Sequence, residues 1–276
     1  MRVAVFGAGG RMGQGVCSAI AADPSLDLVA AVDPLMGRDE LGPMTRSGPQ
    51  GDAGSTTRIR VVPGFDALEE LQVEVAVDFT TAAAAMENLR WCAAHAVHAV
   101  VGTTGFSPAE ETEIAALFGA GSANCILAAN FAIGAVLMMR FAEMAARYMV
   151  GAEIVEMHHG GKLDAPSGTA AATARRIAAA GLGSAGGAVE RQSSNTVPAS
   201  PARGLMEAGG VRVHSVRLEG MLSHQEVIFG APGQVLSIRH DSLDRSSFMP
   251  GVLLAINAVA SRRGLTIGLD SLLDVS

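Results

Sequence analysis

The first half of the chain alternates short apolar runs with longer stretches in which apolar residues recur at helical spacing. The apolar runs predict strands at residues 2–6, 28–32, 58–62, 74–79, 97–101 and 124–128. The stretches between them predict helices near residues 11–22, 82–94 and 108–119. This alternation is typical of βαβ units, in which helices cover both faces of a parallel sheet. Residues 42–57, rich in Gly, Ser, Thr and Pro, predict a long loop at the carboxyl edge of that sheet.

The pattern changes after Asn130. Two further helices are predicted at about residues 132–149 and 169–180, with a strand between them at 152–157. Residues 181–210 are small and polar without periodicity, which predicts an extended loop. Three runs of alternating polarity predict an antiparallel sheet, at residues 211–218, 224–230 and 234–239.

A last apolar helix, predicted at residues 249–262, fits best if the chain returns to pack on the first domain. We therefore expect an α/β protein of two domains. The first, with the parallel sheet, comprises residues 1–130 and 241–276. The second, a mixed α+β domain with an open sheet, comprises residues 131–240.

Composition and charge narrow the classes of function. The net charge is −7 and the arginines are scattered, so we expect no nucleic-acid or membrane partner. The most apolar stretch, residues 125–139, is too short to span a bilayer. Three widely spaced cysteines, Cys17, Cys92 and Cys125, predict buried thiols in a reducing compartment. No signal-type segment is visible at the N-terminus, and a cytoplasmic location is expected.

A glycine-rich turn follows the first predicted strand, in the sequence V-A-V-F-G-A-G-G-R-M-G. Gly7, Gly10 and Gly13 lie where the strand meets the first helix, with the spacing G-x-x-G-x-x-G. Gly9 also satisfies the G-x-G start of the motif G-x-G-x-x-G, and the third glycine, Gly13, falls one place late. Glycines let the backbone approach a pyrophosphate, whose charge is stabilised by the N–H groups of the helix N-terminus. Arg11 adds a cation beside it. A purely structural turn is the alternative.

Asp33 ends the second predicted strand, twenty places beyond Gly13. An acidic side chain at this spacing accepts hydrogen bonds from the adenosine ribose of a dinucleotide. Its carboxylate repels a 2′-phosphate, which favours NADH, whereas Arg38 offsets that repulsion if its loop folds back. The sequence therefore predicts an NAD(P)H site and leaves the choice between NADH and NADPH open.

Three later strands end in short polar turns. Residues 78–81 have the sequence D-F-T-T, residues 102–105 have G-T-T-G, and residues 129–131 have A-N-F. Because ligands bind at the carboxyl ends of the strands in an open α/β sheet, we expect these turns to face the cofactor. Ordinary turns made of small residues are the alternative at each position.

The segment richest in chemical groups is E-M-H-H-G-G-K-L-D-A-P-S-G-T, residues 156–169. His158 and His159 face opposite ways in an extended chain, so we expect them to have different roles. Lys162 supplies a cation, and the start of the following helix supplies an anion site. A titratable group, a cation and an anion site suit the reduction of an unsaturated dicarboxylate, since the proton must be delivered separately from the hydride.

Two alternatives remain for the paired histidines. Zinc is disfavoured because the pair, with Glu156 and Asp164 nearby, lacks helical H-x-x-x-H spacing and no cysteine joins it, so we expect no metal. A structural histidine pair stays open. Elsewhere, His224 and His240 are candidates to line the substrate cleft.

Together these motifs resemble the dihydrodipicolinate reductase (4-hydroxy-tetrahydrodipicolinate reductase) family of bacterial lysine and diaminopimelate synthesis, particularly its actinobacterial-type members. The resemblance spans nearly the whole chain. Its most specific element is E-M-H-H-G-G-K-L-D-A-P-S-G-T-A. The other shared motifs are G-A-G-G-R-M-G, D-F-T, V-G-T-T-G-F, A-N-F-A-I-G, V-H-S-V-R-L-E-G-M-L-S-H-Q-E-V-I-F-G and R-H-D-S-L-D-R-S-S-F-M-P-G-V.

The resemblance implies a Rossmann-type domain, a substrate-binding and tetramerisation domain, and a homotetramer. It implies that His158 is a proton donor and acceptor, and that Lys162 is a second proton donor that also pairs with a substrate carboxylate. The implied substrate-binding residues are His159, Gly168 and Thr169. The implied cofactor-binding residues are Gly7, Ala8, Gly9, Gly10, Arg11, Met12, Asp33, Gly102, Thr103, Thr104, Ala128, Ala129, Asn130 and Phe131.

Two positions depart from the family pattern. Gly161 stands where such reductases usually carry a histidine before the lysine, and Pro34 stands where some members carry an arginine that meets NADPH. The resemblance implies NAD(P)H-dependent reduction of 4-hydroxy-tetrahydrodipicolinate, a small dicarboxylate. A related NAD(P)-dependent imine or amino-acid dehydrogenase is the alternative, with Gly161 marking altered specificity, and a non-catalytic NAD(H)-binding regulator is the third hypothesis.

Overall fold

The computed structural model describes residues 1–35, 44–45, 56–57, 61–62, 64–119, 121–184 and 201–273. The described residues divide into two compact units. Unit 1 lies within Met1–Phe131 and Phe248–Asp274, and unit 2 lies within Ala132–Ser247. Within these described ranges, no helix is long and apolar enough to cross a membrane.

The helices and strands are numbered in chain order. The strands are β1 (Arg2–Phe6), β2 (Asp27–Val32), β3 (Met44–Thr45), β4 (Thr56–Thr57), β5 (Val61–Val62), β6 (Val75–Asp78), β7 (His98–Val101), β8 (Cys125–Leu127), β9 (Gly151–His158), β10 (Leu205–Met206), β11 (Arg212–Arg217), β12 (Ser223–Ala231), β13 (Gln234–Ser242) and β14 (Leu265–Ile267). The α-helices are α1 (Arg11–Ala22), α2 (Ala82–Ala94), α3 (Pro108–Gly119), α4 (Ile133–Ala146), α5 (Gly168–Ala180) and α6 (Met249–Val259).

Unit 1 is built on a seven-stranded sheet in the order β14-β8-β7-β6-β1-β2-β5. Every neighbouring pair in this sheet is parallel. All residues of β6 and β8 are buried, which explains why the central strands appear as continuous apolar runs in the sequence. The predicted parallel sheet is confirmed, and its chain order reverses beside β1, where open α/β sheets bind ligands.

Helix α6 returns to unit 1 from the far end of the chain. It packs against α1, β7 and β8, as its apolar pattern predicts. A Cβ at Gly251 would lie 2.0 Å from the carbonyl oxygen of Phe131, so this close approach requires glycine. The side chain of Asn124 donates to the carbonyls of Val259 (3.1 Å) and Ala260 (3.0 Å), which ties the end of α6 to the start of β8.

Unit 2 is a five-stranded mixed sheet in the order β10-β11-β9-β12-β13. Alternate residues of β9 are buried, namely Ala152, Ile154 and Glu156, because one face of the strand packs on helices. The apolar members of this face join a core with residues from α4 and α5, such as Ala142 and Ile177. The buried face thus carries one acidic residue among apolar ones.

The antiparallel sheet predicted from three strands is partly wrong. Strands β12 and β13 are antiparallel neighbours, but β11 lies on the other side of β9 and runs parallel to it. The alternation of polar and apolar residues specifies which face of a strand is buried and leaves its neighbour undetermined.

Two predicted loops contain short strands. The loop predicted at residues 181–210 includes β10, which pairs antiparallel with β11, while residues 185–200 lie outside the described residues. The loop predicted at residues 42–57 includes the antiparallel pair of β3 and β4. Its remaining residues, Arg38, and residues 58–60 of the strand predicted at 58–62 also lie outside the described residues.

Candidate active site

The glycine-rich turn of unit 1 leads from β1 into α1. Gly7 has a φ of +74°, and a Cβ there would lie 2.6 Å from the carbonyl oxygen of Phe79. A Cβ at Gly13 would lie 2.0 Å from the carbonyl oxygen of Gly7, so only glycine permits this contact. The N–H of Gln14 donates to the carbonyl of Gly10 (3.0 Å). The N–H groups that precede Gln14 in the first turn of α1 are the donors that fit a pyrophosphate.

Asp33 follows β2 directly and contacts this turn. Its Oδ2 accepts from the N–H of Gly9 (3.0 Å), and its Oδ1 accepts from the N–H of Leu35 (2.9 Å). The side chain is nine-tenths buried. Two backbone donors therefore hold an anionic acceptor beside the glycines, in the position that suits the ribose of a dinucleotide.

Asp78 joins the turns that follow β6 and β7. Its Oδ1 accepts from the hydroxyl of Thr103 (2.7 Å), the N–H of Thr80 (2.9 Å) and the hydroxyl of Thr80 (2.7 Å). Its Oδ2 accepts from the amide of Asn88 (2.6 Å). Asp78 is buried, and its carboxylate holds the two turns together through these hydrogen bonds.

The turn after β8 is also fixed to its neighbours. The N–H of Ala128 donates to the carbonyl of Val101 (3.0 Å), and the ring of Phe131 lies 5.6 Å from the ring of Phe79. A Cβ at Gly102 would lie 2.0 Å from the Phe79 ring, so the ring packs on bare backbone. The residues predicted to hold the cofactor therefore follow strands of one sheet at its carboxyl edge, at positions 7–12, 33, 102–104 and 128–131.

In unit 2, a cluster of polar side chains forms at the end of β9. Glu156 and His158 share a face of the strand, and Nδ1 of His158 lies 2.5 Å from Oε2 of Glu156. Nε2 of His158 lies 3.1 Å from the hydroxyl of Ser223 on β12. Burial raises the pKa of Glu156, but hydrogen bonds from His158, Arg217 and Ser215 outweigh it and lower the pKa to about 2. The ionised carboxylate only accepts, so Nδ1 of His158 carries a hydrogen.

Arg217, the last residue of β11, connects this carboxylate to the loop that follows β9. Its Nη1 donates to Oε2 of Glu156 (2.9 Å) and its Nη2 donates to Oε1 (2.8 Å). The same guanidinium donates from Nε to the carbonyl of Lys162 (3.3 Å) and from Nη2 to the carbonyl of Asp164 (2.6 Å). Arg217 thus holds the loop on the buried acid.

The loop ends at the N-terminus of α5. The hydroxyl of Ser167 accepts from the N–H of Ala170 (3.2 Å) and caps the helix. Gly168 and Thr169 are the first residues of α5, so their N–H groups lie at the positive end of its dipole. Anions are stabilised at such a position, which suits one carboxylate of a substrate.

Lys162 and His159 occupy the loop itself. The ammonium of Lys162 lies 2.7 Å from Oδ1 of Asp164 and lowers the pKa of that carboxyl group. A Cβ at Gly161 would lie 3.3 Å from Nδ1 of His159, so a larger residue there requires the His159 ring to shift by a few tenths of an ångström. The structure therefore brings the predicted residues at positions 158, 159, 162, 168 and 169 into one loop and helix start of unit 2.

Both clusters fall in stretches that match known protein-family models. Residues 1–131 match the model described as dihydrodipicolinate reductase, N-terminus, and residues 134–273 match dihydrodipicolinate reductase, C-terminus. The chain belongs to the dihydrodipicolinate reductase family. The resemblance seen in the motifs is thereby confirmed.

Relatives in this family match over their full length. The chain is 45% identical to a 4-hydroxy-tetrahydrodipicolinate reductase of Nocardia farcinica, over 100% of this chain and 99% of the relative. It is 46% identical to one of Cutibacterium acnes, over 99% of this chain and 98% of the relative. Among solved structures, a dipicolinate-bound dihydrodipicolinate reductase from Paenisporosarcina sp. TG-14 superposes with a TM-score of 0.79 at 36% identity, covering 99% of each chain.

Several polar residues of this dihydrodipicolinate reductase family member are not predicted from the sequence to belong to the site. Glu156 is predicted only as a possible metal ligand, although its spacing of two from His158 on a strand places both side chains on one face. Arg217 and Ser223 give no local signal, since they reach the cluster from other strands. Among the described residues, no group of three or more His, Cys, Asp or Glu side chains is arranged to hold a metal ion.

The two histidines proposed for the substrate cleft have structural contacts in unit 2. Nδ1 of His224 pairs with Oδ1 of Asp241 (2.7 Å), and its Nε2 accepts from the N–H of Leu222 (3.3 Å). His240 packs on Gly134, where a Cβ would lie 2.5 Å from the ring, and burial lowers the pKa of His240. Both ring nitrogens of His224 are therefore engaged within the fold.

Proposed function

We propose that this chain reduces 4-hydroxy-tetrahydrodipicolinate, or the dihydrodipicolinate formed from it by loss of water, to tetrahydrodipicolinate in lysine and diaminopimelate biosynthesis. The observation that carries this proposal is the buried Glu156 carboxylate, which holds the hydrogen of His158 on Nδ1 and also accepts from the N–H of Ser167 at the start of α5. Family membership supports the substrate class, since the curated relatives are named 4-hydroxy-tetrahydrodipicolinate reductases and the solved relative binds dipicolinate.

NADH or NADPH, when bound, supplies the hydride. Residues at the carboxyl edge of the unit 1 sheet fit this cofactor, because glycine alone permits the turn at Gly13 and the first turn of α1 supplies N–H donors. The N–H groups at the start of α1 would hold the pyrophosphate against the glycine-rich turn at positions 7–12, and Asp33 would accept from the ribose hydroxyls. The remaining cofactor contacts come from residues 102–104 and 128–131.

His158 and Lys162 donate protons to the substrate, and Lys162 also pairs with one of its carboxylates. The hydrogen on Nδ1 of His158 stays with Glu156, so Nε2 is the atom that delivers a proton to the substrate. Lys162 exchanges Asp164 for a substrate carboxylate and is the second proton donor. The other carboxylate is held by the N–H groups of Gly168 and Thr169 and by His159.

A coupled assay tests the activity. The substrate is made in situ from pyruvate and aspartate semialdehyde by the upstream synthase, and NADH or NADPH oxidation is followed. We expect turnover by the wild-type chain, and a loss of about 10²–10⁴ in kcat for His158→Gln, the magnitude of one general acid. His95→Gln, on α2's C-cap in unit 1, is the matched control and is expected to retain the wild-type rate. If the pure protein oxidises neither cofactor, the assignment is wrong.

We also propose that the chain forms a homotetramer through unit 2. Strand β13 is an edge strand with no outer partner among the described residues, and such edges pair with other chains. Beside it, Val235 and Leu236 of β13 and Phe141, Met144 and Tyr148 of α4 are exposed apolar side chains. An exposed apolar face next to an open sheet edge fits a second copy of the chain.

Sedimentation measures the assembly. Leu236→Lys places a charge on the exposed face and is expected to shift the protein to smaller species. Ile267→Lys adds the same charge at an exposed apolar position of β14 in unit 1 and is expected to leave the assembly unchanged. A monomeric wild-type protein at micromolar concentration would contradict the proposal.

The three cysteines are buried free thiols, which supports the proposed cytoplasmic location.

A further inference from the structure

We propose that Glu156 and Arg217 act as a positioning pair that sets the tautomer of His158 and, through the same contacts, the placement of the loop that carries Lys162. This inference deepens the proposed function, because it assumes that His158 exchanges protons with the substrate. Neither residue needs to touch the substrate. Their role is to hold groups that do.

The carboxylate of Glu156 is shared between two parts of the site. Its Oε2 accepts from Nδ1 of His158 and from Nη1 of Arg217, and its Oε1 accepts from Nη2 of Arg217 and from the N–H of Ser167 (3.2 Å). Together with the hydrogen bond from the Ser215 side chain, these four hydrogen bonds satisfy both oxygens of a side chain that is fully buried. The carboxylate links the histidine to the residue that caps α5, so a shift of one is transmitted to the other.

The guanidinium of Arg217 completes the connection. Its two terminal nitrogens bind both carboxylate oxygens, a fork geometry that lysine cannot reproduce. Its contacts with the carbonyls of Lys162 and Asp164 hold two backbone positions of the loop. A buried charge of this kind is tolerated only when it is paired and hydrogen-bonded, and Arg217 satisfies both conditions for Glu156.

The ionised carboxylate of Glu156 determines which nitrogen of the neutral His158 ring carries the hydrogen. Because Glu156 cannot donate, the neutral ring is held with hydrogen on Nδ1, and Nε2 is left for the exchanging proton. The polar groups that contact His158 are Glu156 on its own strand and Ser223 on β12, and Glu156 in turn pairs with Arg217 on β11.

The chain contains a matched pair for comparison on the same strand. Glu153, also on β9, contacts His214 through Oε2 (2.8 Å) and Arg203 through Oε1 (3.4 Å). Like Glu156, Glu153 is a carboxylate between an imidazole and a guanidinium. The side chain of Glu153 is more exposed than that of Glu156, however, and contacts neither His158 nor the loop. Glu153→Gln is therefore the control for Glu156→Gln.

The tautomer is measured without reference to activity. Solid-state 15N spectra of protein labelled in histidine, with the His158 signal assigned from His158→Gln, are recorded above and below the pH at which the ring ionises. We expect the neutral ring of the wild type to carry hydrogen on Nδ1. We expect a substantial fraction with hydrogen on Nε2 in Glu156→Gln, since the new amide can donate to Nδ1, and no change in Glu153→Gln.

Steady-state kinetics measures the consequence. Glu156→Gln is expected to lower kcat by about 10- to 100-fold, the usual effect of losing a partner that orients a reacting group. Arg217→Lys keeps a cation but loses the fork, so the KM for the dicarboxylate is expected to rise about tenfold or more with a smaller change in kcat.

The outcomes separate this inference from the proposed function. If His158→Gln keeps the wild-type kcat, the proton-donor role is wrong. If His158→Gln is inactive while Glu156→Gln retains the wild-type tautomer and rate, the positioning pair is overturned. Should Glu156→Gln fail to fold, Arg217→Lys decides alone: an unchanged KM for the dicarboxylate overturns the proposal.

Discussion

At Glu156, burial and hydrogen bonding change the pKa in opposite directions, and hydrogen bonding prevails. The pKa falls from 4.5 to about 2 although burial raises it, because His158, Arg217 and Ser215 donate to the carboxylate. A carboxyl group with a lowered pKa stabilises the folded state above its unfolded pKa, and this contribution disappears as the pH falls towards the folded pKa. The acid therefore matters for stability as well as for the site.

We expect the free energy of unfolding of the wild type to decrease between pH 4.5 and pH 2 in part through Glu156. Glu156→Gln cannot be protonated, so its unfolding free energy should start lower at pH 7 and fall less steeply over this interval. Urea denaturation at pH 7, 4.5 and 3 measures both slopes. If the unfolding free energies of the two proteins fell equally with decreasing pH, another group would be responsible for the loss of stability in acid.

Gly13 lies at a contact that no other residue permits. Gly13→Ala is expected to lower the free energy of unfolding by about 1–3 kcal/mol or more, because its Cβ would meet backbone rather than a side chain that can move. NADH binding is expected to weaken by about tenfold or more. Thermal unfolding and a fluorescence titration with NADH measure these effects.

Gly15→Ala is the matched control in the same helix. A Cβ at Gly15 would make an ordinary contact of 3.7 Å with the side chain of Met249. Alanine is favoured over glycine in a helix by roughly 0.5–1 kcal/mol, so this variant is expected to be as stable as the wild type or more so. A large loss in Gly15→Ala would mean that α1 tolerates no added methyl group.

Asp33 bears on the choice between the two cofactors. Asp33→Asn removes the charge that repels a 2′-phosphate, so the ratio of kcat/KM for NADPH to that for NADH is expected to rise by about fivefold or more, since charges about 4 Å apart repel by about 1 kcal/mol even in water. Asp23→Asn, at the opposite end of α1, removes the same charge and should leave the ratio unchanged. A ratio that falls in Asp33→Asn would contradict the assigned position of the ribose.

The residues that could be identified from the sequence are those with a local signature. The glycines, Asp33 and the loop after His158 follow spacings that physical chemistry explains without the fold. Arg217 could not be found in this way, because a parallel neighbour of β9 brings it to Glu156 and the sequence does not specify that neighbour. The motifs thus predict the reacting groups that we propose, while the residues that contact Glu156 from other strands are identified only through the sheet.

At the scale of elements, the capped start of α5 decides how well the loop is anchored. Ser167→Ala removes the acceptor for the N–H of Ala170. This change is expected to lower the free energy required to open the first turn of α5 by about 1 kcal/mol. The KM for the dicarboxylate is expected to rise severalfold, because the anion site frays. Hydrogen exchange of the first turn of α5 and the coupled assay measure the two effects.

Thr81→Ala is the corresponding change in α2, where the Thr81 hydroxyl accepts from the N–H of Ala84 (3.4 Å). It is expected to open the first turn of α2 to a similar or smaller extent without changing the KM for the dicarboxylate. If both variants raised this KM equally, general loosening of the protein would explain the result rather than the position of Ser167.

Strand pairing also shows what the pattern of a single element leaves undetermined. The helices α1, α2 and α3 begin and end where their periodicity predicts, since that periodicity is local. Strand β14 has three residues, too few for a pattern, and is recognised only through its pairing with β8. The placement of β11 beside β9 depends in the same way on contacts distant in sequence.

At the scale of the whole molecule, unit 1 is assembled from both ends of the chain. Helix α6 and β14 belong to unit 1, although Ala132–Ser247 of unit 2 separate them from the rest of it. The side chain of Asn124 binds this returning segment, with its Oδ1 accepting from the N–H of Gly264 (3.0 Å) in addition to its contacts with the end of α6.

During protein synthesis, unit 2 can therefore be completed before unit 1, although unit 1 begins first. A ribosome releases all of unit 2 before α6 and β14 emerge, so the unit that begins first is the last to be finished. Arrested nascent chains that end at residue 247, extended by a linker, are expected to show a protease-resistant unit 2 and no retention on immobilised NADH, whereas full-length released chains are retained. We therefore expect a nascent chain of this protein to complete the polar cluster at the end of β9 before it can bind NADH.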